Sequence, residues 1–150
     1  MEESDINSPM RIAITADLHY PTTSRETLLS FAEQIKSHNP SLVALVGDIG
    51  ETFNDVDYFD ACIAIFRKIL EETPILIVAG NHDLWVPPNA NWNSIDLFER
   101  ILPKMTLARK CHWLETENYV RDGIAFIGMS EGNPLVFSQG EEFAPPFSYK

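Results

Sequence analysis

Along the first half of the chain, short apolar runs alternate with longer stretches whose apolar positions recur at helical spacing. Arg11–Ala16, containing Ile12 and Ile14, suits a buried strand and stops at Asp17. Beyond it Thr23 is a candidate cap with Glu26 three residues later, and Leu28, Phe31, Ala32 and Ile35 predict a helix to about His38. Leu42–Val46 repeats the strand pattern and ends at Gly47 and Asp48. Val56, Phe59, Ile63, Phe66 and Leu70 trace one face of a second helix, which Pro74 closes before a third strand over Ile75–Ala79.

Strands alternating with helices of this length imply a parallel sheet, because parallel neighbours need a crossover and right-handed crossovers dominate. The pattern then changes. Trp85–Asn93 reads as a loop, and Ile95, Phe98, Ile101, Leu102 and Met105 predict an amphipathic helix. His112–Glu115, Tyr119–Arg121 and Ile124–Met129 look like strands, with Asp122-Gly123 as a hairpin turn. Ser130–Lys150 has no clear period, and the chain shows neither an internal repeat nor a domain linker, so residues 1–150 read as a single domain.

Composition narrows the function classes. The chain has 150 residues, 45% of them hydrophobic, which is enough apolar material for one core. Its 22 acidic against 11 basic residues leave a formal charge of −11. Nucleic-acid binding, which needs cationic side chains to displace phosphate counterions, is not expected. Any phosphate ligand must be held by something other than a lysine-arginine surface. Cys62 and Cys111 lack the paired spacing of a zinc knuckle and read as buried thiols. No run approaches the length of a membrane span, and the leader Met1-Glu-Glu-Ser-Asp5 is acidic where a secretory signal is basic. A cytoplasmic protein with no membrane partner is the expectation.

Each of the three parallel strands is followed at once by metal-ligating residue types: Asp17-Leu18-His19, Gly47-Asp48, and Gly80-Asn81-His82-Asp83. The carboxyl ends of strands in an open α/β sheet form the ligand-binding edge, so the three elements should meet. Asp17 and His19 are two apart, which in an extended segment points both side chains to one side. Gly47 and Gly80 fit places where the backbone turns sharply off a strand. A lone aspartate at a strand end is often only a turn former or cap. Gly-Asn-His-Asp is far rarer, with a chance occurrence on the order of one in a thousand for a chain this long.

This ordered set resembles the N-terminal half of the calcineurin-like metallophosphoesterase superfamily, over roughly residues 11–129. The resemblance implies an α/β/β/α sandwich around two divalent ions, manganese, iron or zinc, which hydrolyse a phosphomonoester or phosphodiester through an activated water. By resemblance, Asp17 and His19 bind the first metal, Asp48 bridges both, Asn81 binds the second, and His82 acts on the substrate without ligating. Two such ions hold a phosphoryl oxygen and clamp the in-line displacement, and they give an acidic protein the positive charge that a phosphate ester requires. A catalytic His82 needs a near-neutral pKa and an orienting partner.

The chain also departs from that pattern. Protein phosphatases of the superfamily carry Gly-Asp-x-x-Asp-Arg-Gly, whereas this chain has Gly47-Asp48-Ile49-Gly50-Glu51-Thr52-Phe53. Without the arginine, protein-phosphatase activity is not expected. Glu51 stands at the second aspartate's place and is a candidate to orient His82, its bland alternative being a solvated loop acid. The later Gly-His and Gly-His-x-His motifs are absent, and His112 is the only histidine after His82. The first metal is left with Asp17, His19 and Asp48, the second with Asp48 and Asn81, so the expectation is one weakly bound ion and impaired turnover. The resemblance implies a domain truncated at its C-terminal end: the β-α-β-α-β half plus a hairpin of the second sheet. Uncovered sheet surface then favours self-association or a protein partner. Trp85 and Trp92 are either a substrate wall or a cover for the core. The alternative function is a non-catalytic interaction scaffold on the same fold. A plain nucleotide-binding domain is disfavoured because no glycine-rich loop follows the first strand.

Overall fold

The computed structural model describes residues 9–129. Its order is β1 (Ile12–Thr15), α1 (Arg25–Ser37), β2 (Leu42–Val46), α2 (Asp57–Leu70), β3 (Ile75–Val78), a 3₁₀ turn (His82–Leu84), α3 (Ser94–Asp96), a π-helical turn (Leu97–Ile101), α4 (Leu102–Ala108), β4 (His112–Trp113), β5 (Tyr119–Arg121) and β6 (Ile124–Phe126). β1 to β4 form a parallel sheet in sequence order, and β5 and β6 pair antiparallel. The architecture is mixed α/β, as the alternation of strand and helix patterns implied. No helix of the described residues is long and apolar enough to cross a membrane.

Successive strands laid side by side by crossovers of one hand put every crossover helix on one face of the sheet. Leu28, Ala32 and Ile35 of α1 and Phe59, Ile63, Phe66 and Leu70 of α2 accordingly share a buried core with Val43, Leu45, Ile75 and Ile77. The alternate residues Leu42, Leu76 and Val78 point to the opposite face, where Leu114 is buried with them and Tyr119 and Phe126 of the hairpin pack over them. With both faces covered, β2 and β3 are apolar without alternation. At the sheet edge the second face is open: Ile14 of β1 is 71% exposed, and Ile12 and Val46 are also exposed.

Three details differ from the sequence reading. Ser24, not Thr23, caps α1, its Oγ accepting from the Thr27 amide at 3.2 Å. The helix expected around Ile95–Met105 is broken by a π-helical turn, in which the Leu102 amide bonds back to the Leu97 carbonyl. Pro103, near the start of α4, is the cause: it has no N–H, and its ring crowds the carbonyl four residues earlier. Finally, His112-Trp113 is a fourth parallel strand, registered as Leu76 with His112 and Ile77 with Trp113. The α3 to α4 segment is thus a third crossover.

Candidate metal centre

The loops leaving β1, β2 and β3 meet at the carboxyl edge of the sheet. Backbone bonds lace the first two together: Asp17 N donates to Gly47 O (3.1 Å), His19 N to Asp48 O (2.8 Å), Tyr20 N to Ile49 O (3.1 Å) and Glu51 N to Tyr20 O (2.9 Å). The chain reaches this arrangement through left-handed backbone at Asp17 (φ 57°), His19 (φ 46°) and Asp48 (φ 53°). Asp17 and His19 therefore do not lie in an extended segment as their spacing suggested. The turn, with buried Leu18 between them, brings them together instead, Asp17 Oδ1 lying 3.6 Å from His19 Nε2. Non-glycine residues in this region are strained and persist where surrounding contacts hold them, often at functional sites.

His19 Nε2 also lies 3.8 Å from Asp48 Oδ2. His19, Asp48 and His82 each offer a ligand atom, all within 4.8 Å of one another. Two ligands about 2.1 Å from one ion stand about 3.0 to 3.4 Å apart at octahedral or tetrahedral angles, so this nitrogen and oxygen set suits a divalent transition metal in chemistry and would have to draw closer to hold one. Asp17 is 72% exposed at the rim, and Asn81 is exposed at the head of the 3₁₀ turn. The geometry adds His82 to the residues able to ligate, beside its expected action on substrate.

Glu51 lies beneath the two histidines. Its Oε1 is 2.8 Å from His19 Nδ1 and its Oε2 2.9 Å from His82 Nδ1. Burial pushes its carboxyl upward, but the hydrogen bonds and charge of His82 and His19 outweigh this and hold it below the ordinary value. The imidazoles stand edge to face, centroids 4.6 Å apart, and Trp85 lies 3.9 Å from His82 on a tilted plane. The two tryptophans thus part company: Trp85 borders the site, while Trp92 packs against the core. His112 is not in the cluster. It sits on β4 with its ring 4.5 Å from that of Tyr119.

Two residues lock the site: Asp83, which the sequence placed among the ligating residue types, and Thr52, which it did not single out. Asp83 is wholly buried, its Oδ1 accepting from the amides of Ile49 and Gly50 and its Oδ2 from Gly80, each at 2.9 Å. Burial pushes its carboxyl up to about 7 against the pull of these donors. Thr52, also fully buried, directs its Oγ1 at the carbonyls of His82 (2.6 Å) and Trp85 (2.8 Å). Together they join the β2 and β3 loops. For Thr52 the only signal was its place beside Glu51, whereas Asp83 belongs to the third motif and holds backbone amides. Gly80 has a different reason from the sharp turn expected of it: its backbone runs against Asp48, whereas Gly47, at φ 81°, does turn through the left-handed region.

Three carboxylates, Asp17, Asp48 and Glu51, surround this edge, a field that repels a phosphate unless a cation intervenes. A family model described as calcineurin-like phosphoesterase matches residues 10–139. No curated protein and no solved structure matches the chain.

Proposed function

The chain belongs to the calcineurin-like phosphoesterase family, and we propose that its strand-end cluster is a metal-dependent centre hydrolysing a small phosphomonoester or phosphodiester. The observation that carries this reading is the convergence of His19, Asp48 and His82 on one point, with Glu51 behind both rings. Asp17, His19 and Asp48 hold the first ion, and Asp48 with Asn81 the second, more weakly held one. Manganese, iron and zinc all suit these donors. Such ions, when bound, supply positive charge to the phosphoryl oxygens and acidify water. His82, its Nδ1 engaged by Glu51, takes up a proton on Nε2 and in that imidazolium form delivers it to the leaving oxygen. Trp85 walls the substrate beside it.

A second reading, a non-catalytic scaffold, has its own support. The four histidines of the chain include only two at the site, because His38 caps the far end of α1 and His112 sits on β4. Apolar side chains also lie open to a protein partner or a second copy, among them Ile14 (71% exposed), Ile127 (73%) and Met129 (89%). Cytoplasmic residence accords with Cys62 and Cys111, which are free and buried.

Metal analysis after dialysis, with turnover of p-nitrophenyl phosphate and bis(p-nitrophenyl) phosphate under saturating manganese, separates the two. The enzyme reading expects manganese-dependent turnover, weak in this chain, that Asp48→Asn abolishes together with bound metal. Equal metal content in parent and Asp48→Asn overturns the assignment. Absent turnover with no bound metal, in a chain that sediments as a dimer or larger, supports the scaffold.

A further inference from the structure

We propose that Glu51 is a single positioning residue for both histidines, locking His19 and His82 in the same tautomer so that both Nε2 lone pairs face the centre. The inference deepens the phosphoesterase reading and rests on it for its functional consequence, though not for its geometry. An ionised carboxylate only accepts hydrogen bonds, so each Nδ1 that it contacts must carry the proton. In a neutral imidazole the other nitrogen is then bare. Glu51 satisfies this twice, with one oxygen per ring, at 2.8 Å to His19 and 2.9 Å to His82.

The surroundings leave the rings little freedom to escape. They meet edge to face at 84°, and the indole of Trp85 bounds His82. Glu51 is itself anchored, its amide bonded to Tyr20 O, while the next residue, Thr52, holds the carbonyls of His82 and Trp85. An acid at this position thus does more than orient His82. It ties the proposed metal ligand His19 and the proposed proton carrier His82 to one carboxylate that lies behind both rings. Such outer partners of ligating histidines typically matter about 10- to 100-fold in metal affinity or activity.

The two-oxygen requirement makes glutamine the diagnostic variant. In Glu51→Gln one oxygen still accepts, but the amide NH₂ donates, and the ring facing it must turn a bare Nδ1 toward it. That ring then carries its proton on Nε2 and loses the lone pair from the centre. Glu51→Asp keeps the charge but is one methylene shorter and cannot span both rings.

The test is histidine-resolved ¹⁵N NMR of the metal-free protein, at a pH well above the usual histidine value of about 6.5. Wild type is expected to show His19 and His82 both as the Nδ1–H tautomer, with one of them switched in Glu51→Gln and His38 and His112 unchanged as internal references. Zinc titration is expected to weaken about 10- to 100-fold in Glu51→Gln, with partial recovery in Glu51→Asp. Mixed tautomers at either ring in wild type overturn the proposal without any variant, as does Glu51→Gln with both tautomers and zinc affinity intact. Locked tautomers in a wild type that binds no zinc uphold the positioning and sink the metal-centre reading, so the two failures are distinguishable.

Discussion

Gly80 lies so close against Asp48 that a Cβ placed on it would stand 2.2 Å from Asp48 Oδ1 and 2.3 Å from the Asp48 amide nitrogen. The amide of His82 then donates to that same Oδ1 at 3.0 Å. The β3 loop therefore supports the carboxylate proposed to be shared by both metals, and the contact leaves no room for a side chain.

Gly80→Ala is consequently expected to displace Asp48, since one colliding atom belongs to backbone and cannot rotate away. Overpacking of this kind costs about 1 to 3 kcal/mol. Thermal unfolding should show the loss, and metal titration a drop larger than the change in melting temperature explains. Unchanged metal affinity would mean that Asp48 does not hold the ion.

Asp83→Asn is expected to destabilise the fold by about 1 to 3 kcal/mol, because an amide has one acceptor oxygen for three buried N–H donors. Urea denaturation of the metal-free protein checks this. A neutral outcome would mean that the β2 and β3 loops are held by other contacts.

In a version of the protein with a complete metal site, His82→Ala is expected to lower turnover about 100- to 10,000-fold while leaving bound metal nearly constant, as for a general acid that does not ligate. Parallel loss of metal and activity would make His82 a metal ligand, an alternative its place in the cluster allows.

Acid stability follows from Glu51. Its folded value lies below the ordinary 4.5, so the native state favours the carboxylate. That contribution is fully present above about pH 4.5 and is lost as the pH falls through the lower folded value. In metal-free protein, Glu51→Gln should flatten the acid limb of the stability curve between those two values. An unchanged slope would deny the two histidine contacts an energetic role.

The β-α-β-α-β order was legible from local pattern. β2 coincides with Leu42–Val46, because a strand covered on both faces is an uninterrupted apolar run, and α2 shows its buried face at helical spacing. That the three motifs meet at one edge was equally legible, since the carboxyl ends of parallel strands lie side by side. What the sequence could not determine was set by contacts between segments distant along the chain. The exception is Pro103, a local breaker within a helix whose apolar spacing looked continuous. Asp17 and His19 met through left-handed turns held by bonds to the β2 loop, a conformation that their spacing does not encode. Glu51 became a bridge, and Asp83 and Thr52 clamps, only once the folded sheet brought residues about 30 apart in sequence within hydrogen-bond reach. Periodicity reports which face of an element is buried. It carries no information on which polar atom waits across the gap, because that depends on how the loops are joined in three dimensions.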